Sequence, residues 1–403
     1  MKILLVGGAV RNKLLGLPVR DRDYLVLDAT VEDFLKAYPA AKSVGKTFPV
    51  FIYKGEEYSF PRGEDLEQDL AWRDFTINAL AEELPATMHA ATTQKTTTPA
   101  ATTALLSHPL GLADLQKRIL RPASEHSLAD DPLRAYRAAR FLAVLPGFTA
   151  HPELIASMRR TAASGTLCEP YAERVGQETL KACAGARPGE FLRLLDQGGC
   201  LAPWFAELAE ASSIPAGPPK HHVASVLEHT AQVMDRLAGD AMTVWMALCH
   251  DLGKTLTPAA ELPRHIGHEE RGEALAKALG LRLRLPTRLV NAGADAARWH
   301  MLAAGYPELR DGTRVDLLFR LKSRGVLREM FQLARADKSR ADKGSDANSD
   351  HLAEAQADLD AALTAVLPSE ARDLGEASGE LLRTLRIKAL RASRADRSPK
   401  ARA

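Results

Sequence analysis

Strand-like and helix-like patterns occupy different parts of this chain, and that segregation limits its fold more than any other feature. Residues 3–6 (Ile-Leu-Leu-Val), 24–27 and 49–53 are short runs of aliphatic, β-branched and aromatic side chains, the pattern of buried strands. All of them lie before residue 84. Residues 10–15 read as a helix opened by Gly7-Gly8. Beyond Leu110 the apolar spacing becomes helical and stays so. Asp130-Asp131-Pro132 is a helix start, with Asp at the cap and Pro in the first turn. Strands in front and helices behind predict an α+β head on an all-α body.

A length of 403 residues suggests several domains. Residues 86–103, rich in Thr and Ala, cannot bury enough apolar surface to order themselves and read as a flexible surface insert. Residues 212–220 form a Pro/Gly-rich linker, and residues 344–350 are polar. The expected divisions are a head over 1–123, a helical neck and body over 124–211, a second helical block over 221–341 and a charged helix or tail over 342–403.

Apolar residues at 46% and charged residues at 26% fit a soluble globular protein. No apolar run approaches the roughly 18–20 residues that span a bilayer. Charged residues follow the short apolar start at once, so it reads as a buried strand rather than a signal peptide, and a cytoplasmic location is expected. Cys168, Cys183, Cys200 and Cys249 form no C-x-x-C pair, which leaves reduced thiols rather than a zinc knuckle or redox motif. The net charge of +2 says little about nucleic acid. Basic residues gather instead at Arg383, Arg386, Lys388, Arg391, Arg394, Arg397, Lys400 and Arg402. That stretch is either a solvated tail or a phosphate-binding arm.

Three features of the head point to nucleotide chemistry. Gly7-Gly8 at a strand-to-helix turn lets backbone N–H groups approach an anion such as a triphosphate. Asp21 and Asp23, read as i and i+2 of a strand, aim two carboxylates at one spot, an arrangement suited to Mg²⁺. Arg134, Arg137 and Arg140 recur at steps of three on one helix with no acid between them, which argues for an anionic ligand.

The second block contains His229, the adjacent His250-Asp251, and Asp337, with His221, His222, His265, His268 and His300 around them. Imidazole and carboxylate together suit a divalent transition metal, and such a metal can activate water for attack on phosphorus.

The ordered motifs Gly-Gly-Ala-Val-Arg at 7–11, Arg-Asp-Arg-Asp at 20–23, Arg-Asp-Phe-Thr-Ile-Asn-Ala-Leu at 73–80 and Asp-Pro-Leu-Arg-x-x-Arg-x-x-Arg-Phe at 131–141 resemble the class II tRNA nucleotidyltransferases. The likeness runs from Met1 to about Leu201. It implies a polymerase-β-like head in which Asp21 and Asp23 bind catalytic Mg²⁺, while Gly8, Arg11 and Arg73 hold the sugar and phosphates of ATP or CTP. It further implies that Asp131 and Arg134 read the base and that Arg137 and Arg140 complete the site. A carboxylate beside a guanidinium matches the amine and ring nitrogen shared by cytosine and adenine, and mismatches uracil and guanine. Glu173-Arg174-Val175 with Glu178 resembles a later supporting motif of that family.

The second block resembles the HD-domain phosphohydrolases, and in Pro263-Arg264-His265-x-Gly267-His268 the HD half of the multifunctional CCA proteins. Those proteins are 2′,3′-cyclic phosphodiesterases and 2′-nucleotidases. The likeness implies metal ligation by His229, His250, Asp251 and Asp337, with Ni²⁺, Co²⁺ or Mn²⁺ as the class of metal. It places His268 and His300 against the scissile phosphate or a second metal.

The resemblance therefore implies CCA addition to the tRNA 3′ end plus a metal-dependent phosphohydrolase. A CC-adding enzyme, a poly(A) polymerase and a non-catalytic RNA-binding protein are the alternatives, and monomer and homodimer both stay open. The chain departs from the family pattern in three places. Asn12 and Asp130 replace the usual Asp and Glu, and the long loop of typical members is missing between Gly63 and Trp72. In its place residues 64–71 read as a short acidic helix without glycine.

Overall fold

Continuous apolar runs build the centre of the head. Ile3, Leu4 and Val6 are buried on β1 (Lys2–Val6), which lies between β2 (Asp23–Leu27) and β6 (Leu80–Glu83). With β3 (Lys42–Val44), β4 (Val50–Tyr53), β5 (Glu56–Ser59) and β7 (Leu105–Ser107), these strands form a mixed sheet in the order β3-β4-β5-β2-β1-β6-β7. Within this sheet only β2 and β5 run parallel. The computed structural model describes residues 1–44, 50–84, 104–219, 224–338 and 351–397. The insert at 86–103, the polar stretch at 344–350, His221, His222, Lys400 and Arg402 lie outside the described residues.

Leu4, Val6, Leu25 and Ala81 form a core cluster against which Leu27 and Leu66 pack. Phe34 stands on α2 (Val31–Ala37), a helix started by a Thr30–Asp33 capping box. Its ring lies 4.8 Å from Tyr38 and 5.4 Å from both Phe51 and Tyr58, giving a second, aromatic core.

The first compact unit comprises Met1–Leu142 and Gly147–Pro170. Its other helices are α1 (Gly8–Leu14), α3 (Leu66–Ala71), α4 (Gly111–Lys117), α5 (Ser127–Asp130), α6 (Leu133–Val144), which runs past its boundary, and α7 (Pro152–Ala163). A two-stranded pair, β8 (Ile119–Leu120) with β9 (Thr149–Ala150), completes it. Asp131 lies between α5 and α6, and its Oδ1 accepts from Leu133 N at 3.1 Å, which caps α6 as the sequence predicts.

The second unit, Ala143–Pro146 and Tyr171–Ala403, is helical in its described residues. It contains α8 (Ala172–Cys183), α9 (Gly189–Gln197), α10 (Val226–Arg236), α11 (Ala241–His250), α12 (His268–Arg282), α13 (Thr287–Ala304), α14 (Asp311–Arg324), α15 (Leu327–Lys338), α16 (Leu352–Leu363) and α17 (Glu376–Arg397). Residues from Thr243 to His250 are all buried, so α11 is the hub. The turn after it approaches α12 closely. A Cβ on Gly253 would sit 1.9 Å from the carbonyl oxygen of His268, so only glycine permits that contact.

As far as Arg397, the basic C-terminal stretch is neither a solvated tail nor a free phosphate arm. It is helix α17, docked on its own unit. Arg383 pairs with Asp316, Arg391 and Arg394 pair with Asp311, Arg397 pairs with Asp358, and Arg386 lies 3.6 Å from the Phe319 ring centroid. The acids that answer these arginines lie on α14 and α16, dozens of positions earlier, where local charge counting does not find them. No helix among the described residues is long and apolar enough to cross a membrane.

Candidate active sites

In the head, β1 ends at Val6 and the chain turns through Gly7, whose φ of +70° strains any other residue, into α1. A Cβ at Gly7 would lie 2.9 Å from Arg73 Nη1, so that guanidinium rests against the turn. Arg73 is held there by Asp69, to which its Nε and Nη2 donate at 3.2 and 3.0 Å. Arg11 on α1 is 8% exposed. Its Nη1 donates to Asn78 Oδ1, and its Nε and Nη2 donate to Asn12 Oδ1 at 3.1 and 2.8 Å. Burial first, and then the nearby Arg140, lower its pKa to about 10, which still leaves it charged at neutral pH.

Arg11, Arg137 and Arg140 surround one ring. Their guanidinium carbons lie 5.0, 5.9 and 3.9 Å from the centroid of Phe141. The stripe on α6 does have an acid, but a tertiary one. Arg137 Nε donates to Asp74 Oδ2 at 3.0 Å. Burial opposes ionisation of Asp74, yet Arg137 and the Asn78 amide outweigh it and hold the carboxyl below the usual range.

Arg134 turns inward. It is 7% exposed and donates to the carbonyl of Trp72 at 2.8 Å, the carbonyl of Ser127 at 3.0 Å and the hydroxyl of Ser127 at 2.9 Å. The sequence stripe thus divides into one inward-anchored and two half-buried arginines. Asp131 beside it is half-buried.

The carboxylate side differs from expectation in one detail. β2 begins at Asp23, so Asp21 lies in the segment before the strand rather than on its i, i+2 face. The two still act on each other. Desolvation by the surrounding fold raises the pKa of Asp23, and the charge of Asp21 adds to it, while Arg73 and Arg137 oppose it. The parallel pairing of β2 and β5 sets Glu57 directly across from Asp23. Its carboxyl is also raised, by desolvation and then by Asp23 and Asp21. Three carboxylates crowded at one sheet end are eased by a divalent cation, so these residues fit Mg²⁺. Glu57 gave no signal in sequence, because only the strand register brings it there.

The second unit gathers its expected residues into one buried cluster. His229 on α10, His250 at the end of α11, Asp251 just after it, His268 at the start of α12 and His300 on α13 are each at most 6% exposed, and Asp337 on α15 joins them. His229 Nε2 lies 2.9 Å from Asp337 Oδ1, and His250 Nε2 lies 3.1 Å from Asp251 Oδ2. Burial alone would lower the pKa of His250, but Asp251 and Asp337 raise it to about 10. His300 goes the other way, to about 4, through burial and the neighbouring His250. Lys254 Nζ sits 2.8 Å from Asp251 Oδ2 and donates to the carbonyl of Ala216 at 2.9 Å. His250 Nε2 and both oxygens of Asp251 are buried without a well-directed hydrogen bond. Buried ionic atoms without a directed hydrogen bond are what a bound cation satisfies, so the cluster fits a divalent metal.

The HD domain family matches residues 220–342. The multifunctional CCA protein of Xanthomonas campestris is 37% identical over 427 residues, spanning 98% of this chain and 99% of that one. That of Methylococcus capsulatus is 38% identical over 436 residues, spanning 99% and 96%. The chain belongs to the multifunctional CCA protein family. Among solved structures, the Bacillus stearothermophilus CCA-adding enzyme in complex with CTP superposes with a TM-score of 0.62 at 22% identity, covering 97% of this chain and 89% of that one. The Thermotoga maritima CCA-adding enzyme complexed with tRNA-CCA gives 0.60 at 17% identity, covering 98% and 92%. At those identities the two superpositions establish the fold.

Nucleotidyltransferase and HD domains both imply dependence on divalent metal. Asn12 gives Arg11 an amide oxygen as acceptor, which neutralises less of the arginine's charge than a carboxylate would. The segment from Gly63 to Trp72 is the short helix α3, as the sequence predicts, and it is fastened. Asp65 Oδ1 caps it by accepting from Gln68 N at 2.9 Å, Gln68 Oε1 accepts from Glu64 N at 3.0 Å, and the buried Asp69 accepts from Arg62 N at 3.3 Å as well as from Arg73. The alignment with the Xanthomonas protein runs over 427 positions, more than the 403 residues of this chain, so it includes stretches that this chain lacks. Glu173, Arg174 and Glu178 lie on α8 in the second unit.

Proposed function

We propose that this protein adds C, C and A to the 3′ end of tRNA without a nucleic-acid template, using CTP and ATP. The observation that carries the reading is the opposition of Asp23, with Asp21 and Glu57 beside it, to the guanidinium groups of Arg73 and Arg137 within one compact unit. Asp21 and Asp23 hold Mg²⁺, which when bound supports attack by the tRNA hydroxyl and release of pyrophosphate. Gly8, Arg11, Arg73, Arg137 and Arg140 take the sugar and triphosphate, and Phe141 keeps three of these arginines splayed around one ring. Asp131 and Arg134 read the base, the guanidinium plane of Arg134 being fixed by the carbonyls of Trp72 and Ser127. The functional segments are the head at 1–123, the base- and tRNA-binding neck at 124–211, the hydrolase at 221–341 and the tail at 342–403, in the cytoplasm.

The second unit is a phosphohydrolase acting as a 2′,3′-cyclic phosphodiesterase and 2′-nucleotidase. His229, His250, Asp251 and Asp337 hold a metal of the Ni²⁺, Co²⁺ or Mn²⁺ class, which when bound polarises water and neutralises charge developing at phosphorus. His268 and His300, on the Oδ1 side of Asp251, contact the scissile phosphate or a second metal.

A CC-adding activity is the second reading, favoured by the fastened α3. Switching from cytosine to the larger adenine requires the pocket to readjust, and a capped helix anchored through Asp69 resists that. Incubating the protein with tRNAs ending before the CCA, after C and after CC, each with a single nucleotide, tests both. Incorporation of C, C and then A at similar rates supports the first reading. Arrest at CC supports the second, and no incorporation overturns both.

A further inference from the structure

Trp72, at the C-terminal cap of α3, is 50% exposed, whereas Trp245 is buried and Trp204 and Trp299 are half-buried. Among the described residues no ring or cation stacks on its indole. A large aromatic face left open to water is a costly surface unless something covers it. Its backbone, by contrast, is fixed on both sides. The Trp72 N–H donates to the carbonyl of Gln68 at 3.0 Å, and the Trp72 carbonyl accepts from Arg134 Nη2 at 2.8 Å. Trp72 also follows Asp69 by one helical turn and precedes Arg73, so it stands on the flank of α3 that carries the Asp69–Arg73 pair. The indole is therefore presented from a rigid mount at the edge of the nucleotide site.

Exposure and charge together say what covers it. Arg134, which reads the incoming base, is 7% exposed, so that base goes deep, while Trp72 stands at the rim where a strand enters from solvent. The surface around it is acidic. Glu64, Asp65 and Glu67 are exposed, and residues 64–72 contain no basic side chain. Such a surface repels phosphates, so a strand gains nothing ionic there. Stacking of a base face on an aromatic ring needs no charge and accepts every base. The tRNA 3′ end needs that tolerance, because each addition changes its terminal base.

We propose that the indole of Trp72 is the platform on which the 3′-terminal base of the tRNA stacks while Asp131 and Arg134 read the next nucleotide. This deepens, and rests on, the reading of the first unit as a tRNA nucleotidyltransferase. Because the carbonyl of Trp72 holds Arg134, one residue fixes both the platform for the old base and the reader of the new one.

The test compares the full-length parent with Trp72→Ala and Trp72→Phe, using a tRNA that ends in its first C and the same tRNA with an abasic terminal nucleotide. Equilibrium binding of each tRNA is measured without nucleotide, and the KM for CTP is taken from incorporation. With the intact tRNA, Trp72→Ala should weaken binding by about tenfold, and Trp72→Phe should restore most of it. The loss should be the same at low and high salt, unlike that of a phosphate contact, with the KM for CTP unchanged. With the abasic tRNA, parent and Trp72→Ala should bind alike. A loss that persists with the abasic tRNA, a raised KM for CTP in place of weaker tRNA binding, or unchanged binding in Trp72→Ala would each overturn the platform. Absence of CTP incorporation by the parent would overturn the nucleotidyltransferase reading, while the binding comparison still decides the stacking. The Trp72 side chain is exposed and its backbone bonds survive substitution, and circular dichroism confirms the fold of both variants.

Discussion

The two candidate sites solve the problem of gathering charge in opposite ways. In the head, the arginines Arg11, Arg73 and Arg137 each have a protein partner. Asp69 holds Arg73, Asp74 holds Arg137, and Asn12 and Asn78 hold Arg11. In the helical unit, the central carboxylate and His250 Nε2 are left without a directed partner. The difference reflects the ligand. A nucleotide is large and comes and goes, so its site needs arginines kept in place by other residues while half-open to solvent. A small cation supplies the missing partner itself, and a buried set of lone pairs selects it.

The contrast breaks most sharply at the metal ligands. Asp23→Ala should cut nucleotide incorporation by on the order of a thousandfold, with phosphohydrolase activity unchanged. Single-turnover CTP incorporation reads this, and near-normal turnover in the variant would remove Asp23 from the site. His250→Ala should do the reverse, lowering phosphohydrolase activity by about a hundredfold or more and sparing incorporation. If a folded His250→Ala lost both activities equally, the two sites would not be independent.

Partner residues should give smaller effects. Asp74→Asn removes the acceptor of Arg137 and should destabilise the first unit by about 2 kcal/mol, the worth of a hydrogen bond to a charged group. Asp74 is held below the usual carboxylate range in the folded state. Its contribution is therefore present at pH values above that range and disappears as pH falls through the folded value. Melting curves of parent and variant should converge in acid, and equal pH dependence would show the pair to be inert. The smallest effect is expected at α17. Asp311 is likewise lowered, by its bond to Arg391 and with the help of Arg394, so docking of α17 should weaken as the pH falls below the usual carboxylate range. Asp311→Asn should cost about 0.5–1 kcal/mol and matter less in high salt, as exposed pairs do. A shift unaffected by salt would mean that packing, such as Arg386 on Phe319, holds the helix.

Several features were legible before any coordinates. The front-loaded strands predicted an α+β head, and His229, His250, Asp251, His268, His300 and Asp337 do meet in one cluster. Strand reading succeeded for β1, β2 and β4, which are short runs of aliphatic and aromatic side chains. It missed β3, β5, β6 and β7, which are three or four residues long and polar or lacking a clear alternation, as in Glu-Glu-Tyr-Ser. Such strands exist because a neighbour offers them hydrogen bonds, and no single-chain pattern records that.

The sequence by itself determined which groups are available: carboxylates, guanidiniums and imidazoles in an order that marks the family. A covalent chain also fixes local geometry, so the cap at Asp131 and the short helix at α3 could be read directly. Only the tertiary structure decided which group meets which. It turned Arg134 inward, answered Arg137 with Asp74, set Glu57 across from Asp23, and bound α17 to acids on α14 and α16. It also aimed the two oxygens of Asp251 at separate histidines. Charge pairing depends on distance in space, and residues far apart in the chain become neighbours only after the core has packed.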